Sequence, residues 1–423
     1  MRSGFKLLIS GVLLSVAAIM SAEPPADTMT GAFDEHIRTM QVNLRGDIFA
    51  PPVIVLGSDD VLTFSFDQLS DDRSYLRYRL VHCNADWQPS PMVESEFLNG
   101  FNEAVIDDLE FSRGTTVNYV NYRFTVPSGN IYPLISGNYL VQVYDENDPS
   151  KTLAQWRFMV SEQKVGIDAA LTSRTDIDYN NAHQQLSVEV NTERLDDIDP
   201  FNDLKLMIQQ NGRFDNEIAL QHPLRMSGST AVYDHLAPLI FEAGNEYRRF
   251  ETVSLDYPGM RIESVQYLDP YYHANIATDM SRAKEAYLYD STQNGRFKIR
   301  EYDSDYADTN ADYVVVHFTL DYPETPDLMI FIDGDLTNRR FDESSRMIFN
   351  NYTGRYEKAM LLKQGSYNYQ YLAVPPGKNR GYTSLIEGDR YQTVNEYLIK
   401  VYARRPGARY DRLVGVSRIV SDR

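Results

Sequence analysis

Cysteine is nearly absent. Cys83 is the only one in 423 residues, so no disulfide can close within the chain. Tryptophan is almost as scarce, with two residues, and the seven histidines are scattered. His82, His183, His222, His235, His273 and His317 include no pair at the i, i+4 spacing that grips a metal on a helix. No Gly-x-Ser-x-Gly elbow, phosphate loop or dinucleotide fingerprint occurs. Basic residues are outnumbered: 41 Lys and Arg against 60 Asp and Glu leave a formal charge of −19. That sign disfavours nucleic acid and anionic lipid as ligands. After Ala18 no apolar run is long enough for a helical membrane span. Regular strands of about ten residues flanked by aromatic girdles, the mark of a membrane barrel, are missing too. These absences lead us to expect a protein that is not an enzyme, needs no cofactor or metal, and does not itself insert into a membrane.

The amino terminus carries an export signal. Arg2 and Lys6 precede an apolar stretch from Leu7 to Ala18, and small residues follow, with cleavage expected after Ala18 or Ala22. Loss of Arg2 and Lys6 takes the charge of −19 to about −21. Without disulfides, an exported chain must draw its stability from large cores. Cys83 reads as a small buried hydrophobe.

Tyrosine is abundant, at 30 residues, and it favours strands. Period-two alternation recurs from Ile37 onward, bounded by Asn, Asp, Gly and Pro. In Tyr75–Trp87, Leu76, Tyr78, Leu80 and His82 share one side before Asn84, Ala85 and Asp86 break the run. In Ser136–Val160, Tyr139, Val141 and Val143 alternate with Leu140, Gln142 and Tyr144. Trp156, Phe158 and Val160 resume the pattern after a turn. A turn-plus-tyrosine entry to a strand repeats at Gly137-Asn138-Tyr139, Gly244–Tyr247, Gly365-Ser366-Tyr367 and Asn395-Glu396-Tyr397. The fold class expected is all-β, with tandem immunoglobulin-like (early-set) β-sandwich domains. After the signal at 1–22, the expected domains are 23–163, 164–292 and 293–423. A short helix is expected within Asn275–Ala286, and an acidic boundary over Tyr289–Asp312.

YRLVHCNADW at 78–87, FLNGF at 97–101, SGNYLVQVY at 136–144 and QWRFMV at 155–160 resemble the plug-protein family of the Bacteroidota type IX secretion system. The likeness continues through FIDGDLTN at 331–338, LLKQGSYNYQY at 361–371 and the closing RYDRLVG at 409–415. Its most specific parts are HCNADW and RYDRLVG. Gln392-Thr393-Val394 departs from the acidic entry the family leads one to expect. The resemblance implies a non-catalytic periplasmic protein that associates with the outer-membrane translocon β-barrel and closes its periplasmic mouth. It brings no catalytic or metal residues with it.

Asp308-x-Asn310-x-Asp312 opens like a calcium loop, but Tyr313 and Thr319 stand where Gly and Glu are required. A solvated acidic linker is the reading preferred. The long connection after Cys83 holds the partner-contact candidates: Asp86, Trp87, Glu96, Phe97 and Phe101. Aromatics on such loops anchor interfaces, although Trp87 could equally fold back over the core. The third unit resembles starch- and glycogen-binding sandwich modules. This leaves weak glycan binding open, and with it an alternative reading as an extracytoplasmic carbohydrate-binding or hydrolase accessory protein.

Overall fold

The computed structural model describes residues 27–196 and 198–421. The export signal expected at 1–22 lies outside the described residues. The chain is all-β, and its sheets pack in pairs as three sandwiches.

The first sandwich grows from the two alternating blocks. Leu76–Cys83 pairs antiparallel with Gly137–Asp145, which pairs in turn with Asp148–Ser161. The register sets Leu80 opposite Val141 and His82 opposite Tyr139, with Trp156 and Phe158 on the next strand. Every second residue therefore enters one core, where Leu76, Tyr78, Leu80, Tyr139, Val141, Trp156 and Phe158 are buried. The facing sheet runs Ile37–Leu44, Leu62–Gln68, Val120–Val126, Asp108–Phe111. It contributes Phe64, which stacks on Phe124 at 5.2 Å and meets Trp156 edge-on at 5.8 Å.

The second sandwich corrects the contiguous division of the chain. One sheet comprises Gly166–Thr172, His183–Asn191, Thr230–Tyr233 and Arg225–Ser227. The other comprises Ile218–Leu220, Leu204–Gln210, Glu396–Ala403 and Arg412–Val420. Leu206 faces Val401 and Ile208 faces Ile399, so the last two strands complete the second sandwich and do not belong to a unit at 293–423. The third sandwich also starts well before 293. Arg248–Glu251 pairs with Gly365–Val374, and Ile262–Leu268 and Tyr271–Ile276 join the sheet of Tyr313–Asp321. It is thus an insertion into the second, between the strands Ile240–Glu242 and Glu396–Ala403. Alternation marks a strand without naming its partner. Glu396–Ala403 is buried along its whole length, so even its phase was silent.

Two local expectations also change. Within Asn275–Ala286, where a short helix was expected, lie the end of the strand Tyr271–Ile276 and the strand Asp279–Met280. The acidic stretch before Tyr313 holds one helical turn, Ala307–Asn310, and ends in a buried Asp312. Asp312 accepts hydrogen bonds from Thr116 N and Thr116 Oγ1, both at 2.7 Å, and so clamps the inserted unit to the first sandwich. Beside it, buried Lys363 donates to buried Asp67 at 2.7 Å. Asp67 also accepts from Tyr313 Oη and Asn121 Nδ2, each at 2.7 Å. Among the described residues, no helix is long and apolar enough to cross a membrane.

Candidate functional site

The two most specific motifs are far apart in sequence and meet in the fold. The Asn84–Trp87 turn lies against Tyr410–Leu413 at a seam where the first and second sandwiches stack sheet on sheet. Ala85 N donates to Asp411 Oδ2 at 3.0 Å, and Asp411 N donates to Asn84 Oδ1 at 3.2 Å. Tyr402 Oη donates to Asn138 Oδ1 at 2.7 Å, while Asn138 Nδ2 donates to the Asn84 carbonyl at 2.9 Å. Cys83, Leu140, Met159, Met207, Leu398 and Leu413 fill the seam. This gives the sheet of the first block an apolar phase on both faces.

Three ionisable groups at the seam, His82, Cys83 and Glu162, are held in one state near neutral pH. Burial pulls the His82 imidazole down to about 4. Its Nδ1 lies 2.7 Å from Ser90 Oγ, and its Nε2 lies 3.2 Å from the Ser136 carbonyl. Burial pushes the Cys83 thiol up to about 12, which leaves it an inert packing group. For Glu162, burial alone would raise the pKa. It is outweighed by hydrogen bonds from Arg412, Ser136 and Lys164, which hold the carboxyl at about 2. Arg412 grips Glu162 through Nε at 2.9 Å and Nη2 at 2.5 Å.

The five contact candidates separate. Trp87 and Phe97 are each only 4% exposed, so neither is a surface anchor. Trp87 sits at φ +65°, a left-handed backbone that a bulky residue adopts only under constraint. That turn directs its ring inward against Arg157, whose guanidinium carbon is 4.4 Å from the ring centre. Phe97 ends the single helical turn Glu94–Phe97 and drops into the first core beside His82 and Tyr139. Asp86 is exposed and accepts from Gln88 N at 3.1 Å. Glu96 accepts from Val93 N at 2.9 Å and pairs with Arg409.

Phe101 is 87% exposed and has company that sequence reading missed. The short strand Leu98–Gly100 pairs with Ile131–Pro133, with Asn99 opposite Tyr132. Alternation then places Phe101, Tyr132 and Leu134 on the outward face of this ribbon. Tyr132 is 38% and Leu134 45% exposed, and Val93 is exposed in the turn just before the helix. No local signal links residues 101 and 132, because only the pairing brings them together. Gly100 makes the pairing possible: at φ +105°, a Cβ there would lie 2.1 Å from the Asn130 carbonyl oxygen.

Among the described residues, no group of three or more His, Cys, Asp or Glu is arranged to hold a metal ion. Asp312 of the calcium-like run is engaged by backbone and hydroxyl donors. In the inserted sandwich, the exposed Tyr302 and Tyr306 stand on one loop and Tyr352 on another.

The family described as Type 9 secretion system plug protein 1st domain matches residues 37–162, the first sandwich. A solved structure, that of a hypothetical protein from Parabacteroides merdae, is 43% identical with a TM-score of 0.91. The alignment covers 93% of this chain and 99% of that one. The chain belongs to the type IX secretion plug family. The chain matches no curated protein. It also aligns to an alkylpurine DNA glycosylase from Pseudomonas fluorescens at 14% identity, TM-score 0.16, over 29% of each chain. A third alignment, to alpha-2-macroglobulin from Escherichia coli, has 11% identity and TM-score 0.15 over 46% of this chain and 97% of that one. Neither of these two bears on fold or function.

Proposed function

We propose that this plug protein works outside the cytoplasm without catalysing a reaction, by seating in the periplasmic mouth of the type IX outer-membrane translocon barrel and closing it. The observation that carries this reading is the outward ribbon of Phe101, Tyr132 and Leu134 on the sandwich that bears the family match. A cluster of exposed apolar side chains on an otherwise acidic protein is suited to a partner surface. Closure also needs a body that does not flex. The nested second and third sandwiches, the seam and the buried Asp67–Lys363 pair supply that rigidity. The net acidic charge would be steered by basic loops around the mouth.

Co-purification from detergent-solubilised envelope at low salt tests this. The wild-type chain is expected to come down with the translocon barrel. The double substitution Phe101→Asp with Tyr132→Asp is expected to fold normally and to be lost from the complex. Wild-type protein that associates with no translocon subunit, or a double variant retained as well as wild type, would count against the reading.

A further inference from the structure

A cavity of about 170 Å³ lies where the three sandwiches meet. Trp87, Trp156 and Met159 of the first sandwich line it, with Phe214 and Leu398 of the second and Phe297 of the third. Four cations also reach it: Arg157, Arg296, Arg339 and Lys400. Three have carboxylate partners. Arg296 pairs with Glu396 at 2.8 Å, Arg339 with Asp335 at 2.8 Å, and Lys400 with Glu217.

Arg157 differs. It is only 9% exposed, yet it forms no ion pair among the described residues. Its Nε donates to the Thr28 carbonyl at 2.6 Å and its Nη2 to Thr28 Oγ1 at 3.1 Å. Both acceptors are neutral. Its guanidinium meets two rings, with the carbon 4.4 Å from the centre of Trp87 and 4.7 Å from that of Phe214. The two carboxylates whose charge reaches it are engaged elsewhere: Glu217 by Lys400 and Asp27 by Arg340. Taking a cation out of water costs several kcal/mol unless something answers the charge. The indole Nε1–H groups of Trp87 and Trp156 are also buried with no acceptor. Arg157 thus brings a cation without a counter-charge to a wall that mixes aromatic rings with paired charges and amides.

We propose that this cavity binds a small monocarboxylate with an aromatic or branched aliphatic body, its carboxylate on Arg157 and its body among Trp87, Phe214 and Phe297. The size fits, since an apolar cavity of roughly 150 Å³ accepts benzene. With Nε and Nη2 engaged by Thr28, the Nη1 end of the guanidinium is what is left to meet a carboxylate. A ligand there would touch all three sandwiches at once, so occupancy would stabilise the junction. This inference stands independently of translocon binding.

The molecule carries its own reporter, because its only two tryptophans both line the cavity. Phenylacetate is titrated into the mature protein at constant ionic strength while tryptophan emission and melting temperature are followed. Phenylacetamide and benzylammonium serve as the neutral and cationic counterparts. Phenylacetate is expected to give a saturable emission change and a raised melting temperature, with each counterpart at least about tenfold weaker. Arg157→Met should abolish the response, and the surface substitution Phe101→Asp should keep it. No saturable change up to about 10 mM phenylacetate, or an equal response to phenylacetamide, overturns the proposal. Should Arg157→Met fail to fold, the three-ligand series on the wild-type chain decides by itself.

Discussion

Lys363→Met removes one partner of the buried pair that joins the first sandwich to the inserted one. Asp67 and Lys363 are almost completely shielded from solvent, and their ionised atoms are 2.7 Å apart. Lys363 also donates to the Asp308 carbonyl at 2.7 Å and lies 4.0 Å from the centre of the Tyr119 ring. Methionine keeps most of the side-chain volume, so the dominant loss is electrostatic: the Asp67 carboxylate stays buried with only Tyr313 and Asn121 to answer it. Breaking a buried pair on one side costs roughly 3–5 kcal/mol, whereas replacing both partners is close to neutral. At a urea slope of about 3 kcal/mol per molar, the midpoint should fall by roughly 1–1.7 M. The double variant Asp67→Asn with Lys363→Met should recover most of that fall. Two probes make the test sharper. Both tryptophans belong to the first sandwich, so their emission follows that unit, while far-UV circular dichroism follows all three. The two transitions should coincide in wild type and separate in Lys363→Met. A midpoint shift equivalent to less than about 1 kcal/mol, or a double variant as unstable as the sum of the singles, would refute the idea that this pair couples the units.

Acid should loosen the seam in two stages. His82 titrates at about 4 when folded and near 6.5 when unfolded, so below 6.5 the unfolded chain binds the extra proton. Stability is full above pH 6.5 and falls by about 3 kcal/mol as the pH drops to 4. Glu162, at about 2 against an ordinary 4.5, contributes stability above 4.5 that is lost as the pH falls from there toward 2. Urea midpoints measured at pH 7, 5.5 and 4 should decline, and a flat profile would be inconsistent with a buried neutral His82. At the surface, Gly100→Ala places a Cβ against the Asn130 carbonyl in a left-handed conformation, at a cost of about 1–3 kcal/mol. Hydrogen exchange should accelerate at Leu98–Gly100 and Ile131–Pro133 while the core strands stay protected; unchanged exchange in the ribbon would contradict the clash.

Strand identity was open to sequence reading because a half-buried strand displays its own period. Leu76–Cys83, Gly137–Asp145 and Tyr313–Asp321 all form where alternation places them. The four turn-plus-tyrosine entries each lead into a strand, at Gly137, Arg248, Gly365 and Glu396. What local pattern could not supply was partnership. Leu204–Gln210 and Glu396–Ala403 pair across the whole inserted sandwich, and nothing in either strand names the other. The exposed site was half visible for the same reason. Phe101 declared itself as an aromatic on a long connection, but Tyr132 and Leu134 become its neighbours only through a three-residue ladder. Trp87 stayed open between contact residue and core roof because its direction depends on one left-handed backbone angle.

The nesting changes what the conspicuous motifs mean. In a string of contiguous modules, HCNADW at the end of one strand and RYDRLVG near the carboxyl terminus would be separate surfaces, each free to meet a partner. Here the chain leaves the second sandwich, builds the third, and returns to finish the second, so its last strands arrive at the first sandwich and the two motifs close on each other. Their side chains are consumed in holding sheet on sheet: Asp411 on Ala85, Asn138 on Tyr402, Glu162 on Arg412. The residues that make this family recognisable are therefore those that make the body stiff. The contact surface has to be sought among less distinctive residues such as Phe101, Tyr132 and Leu134, whose common property is that the fold leaves them uncovered.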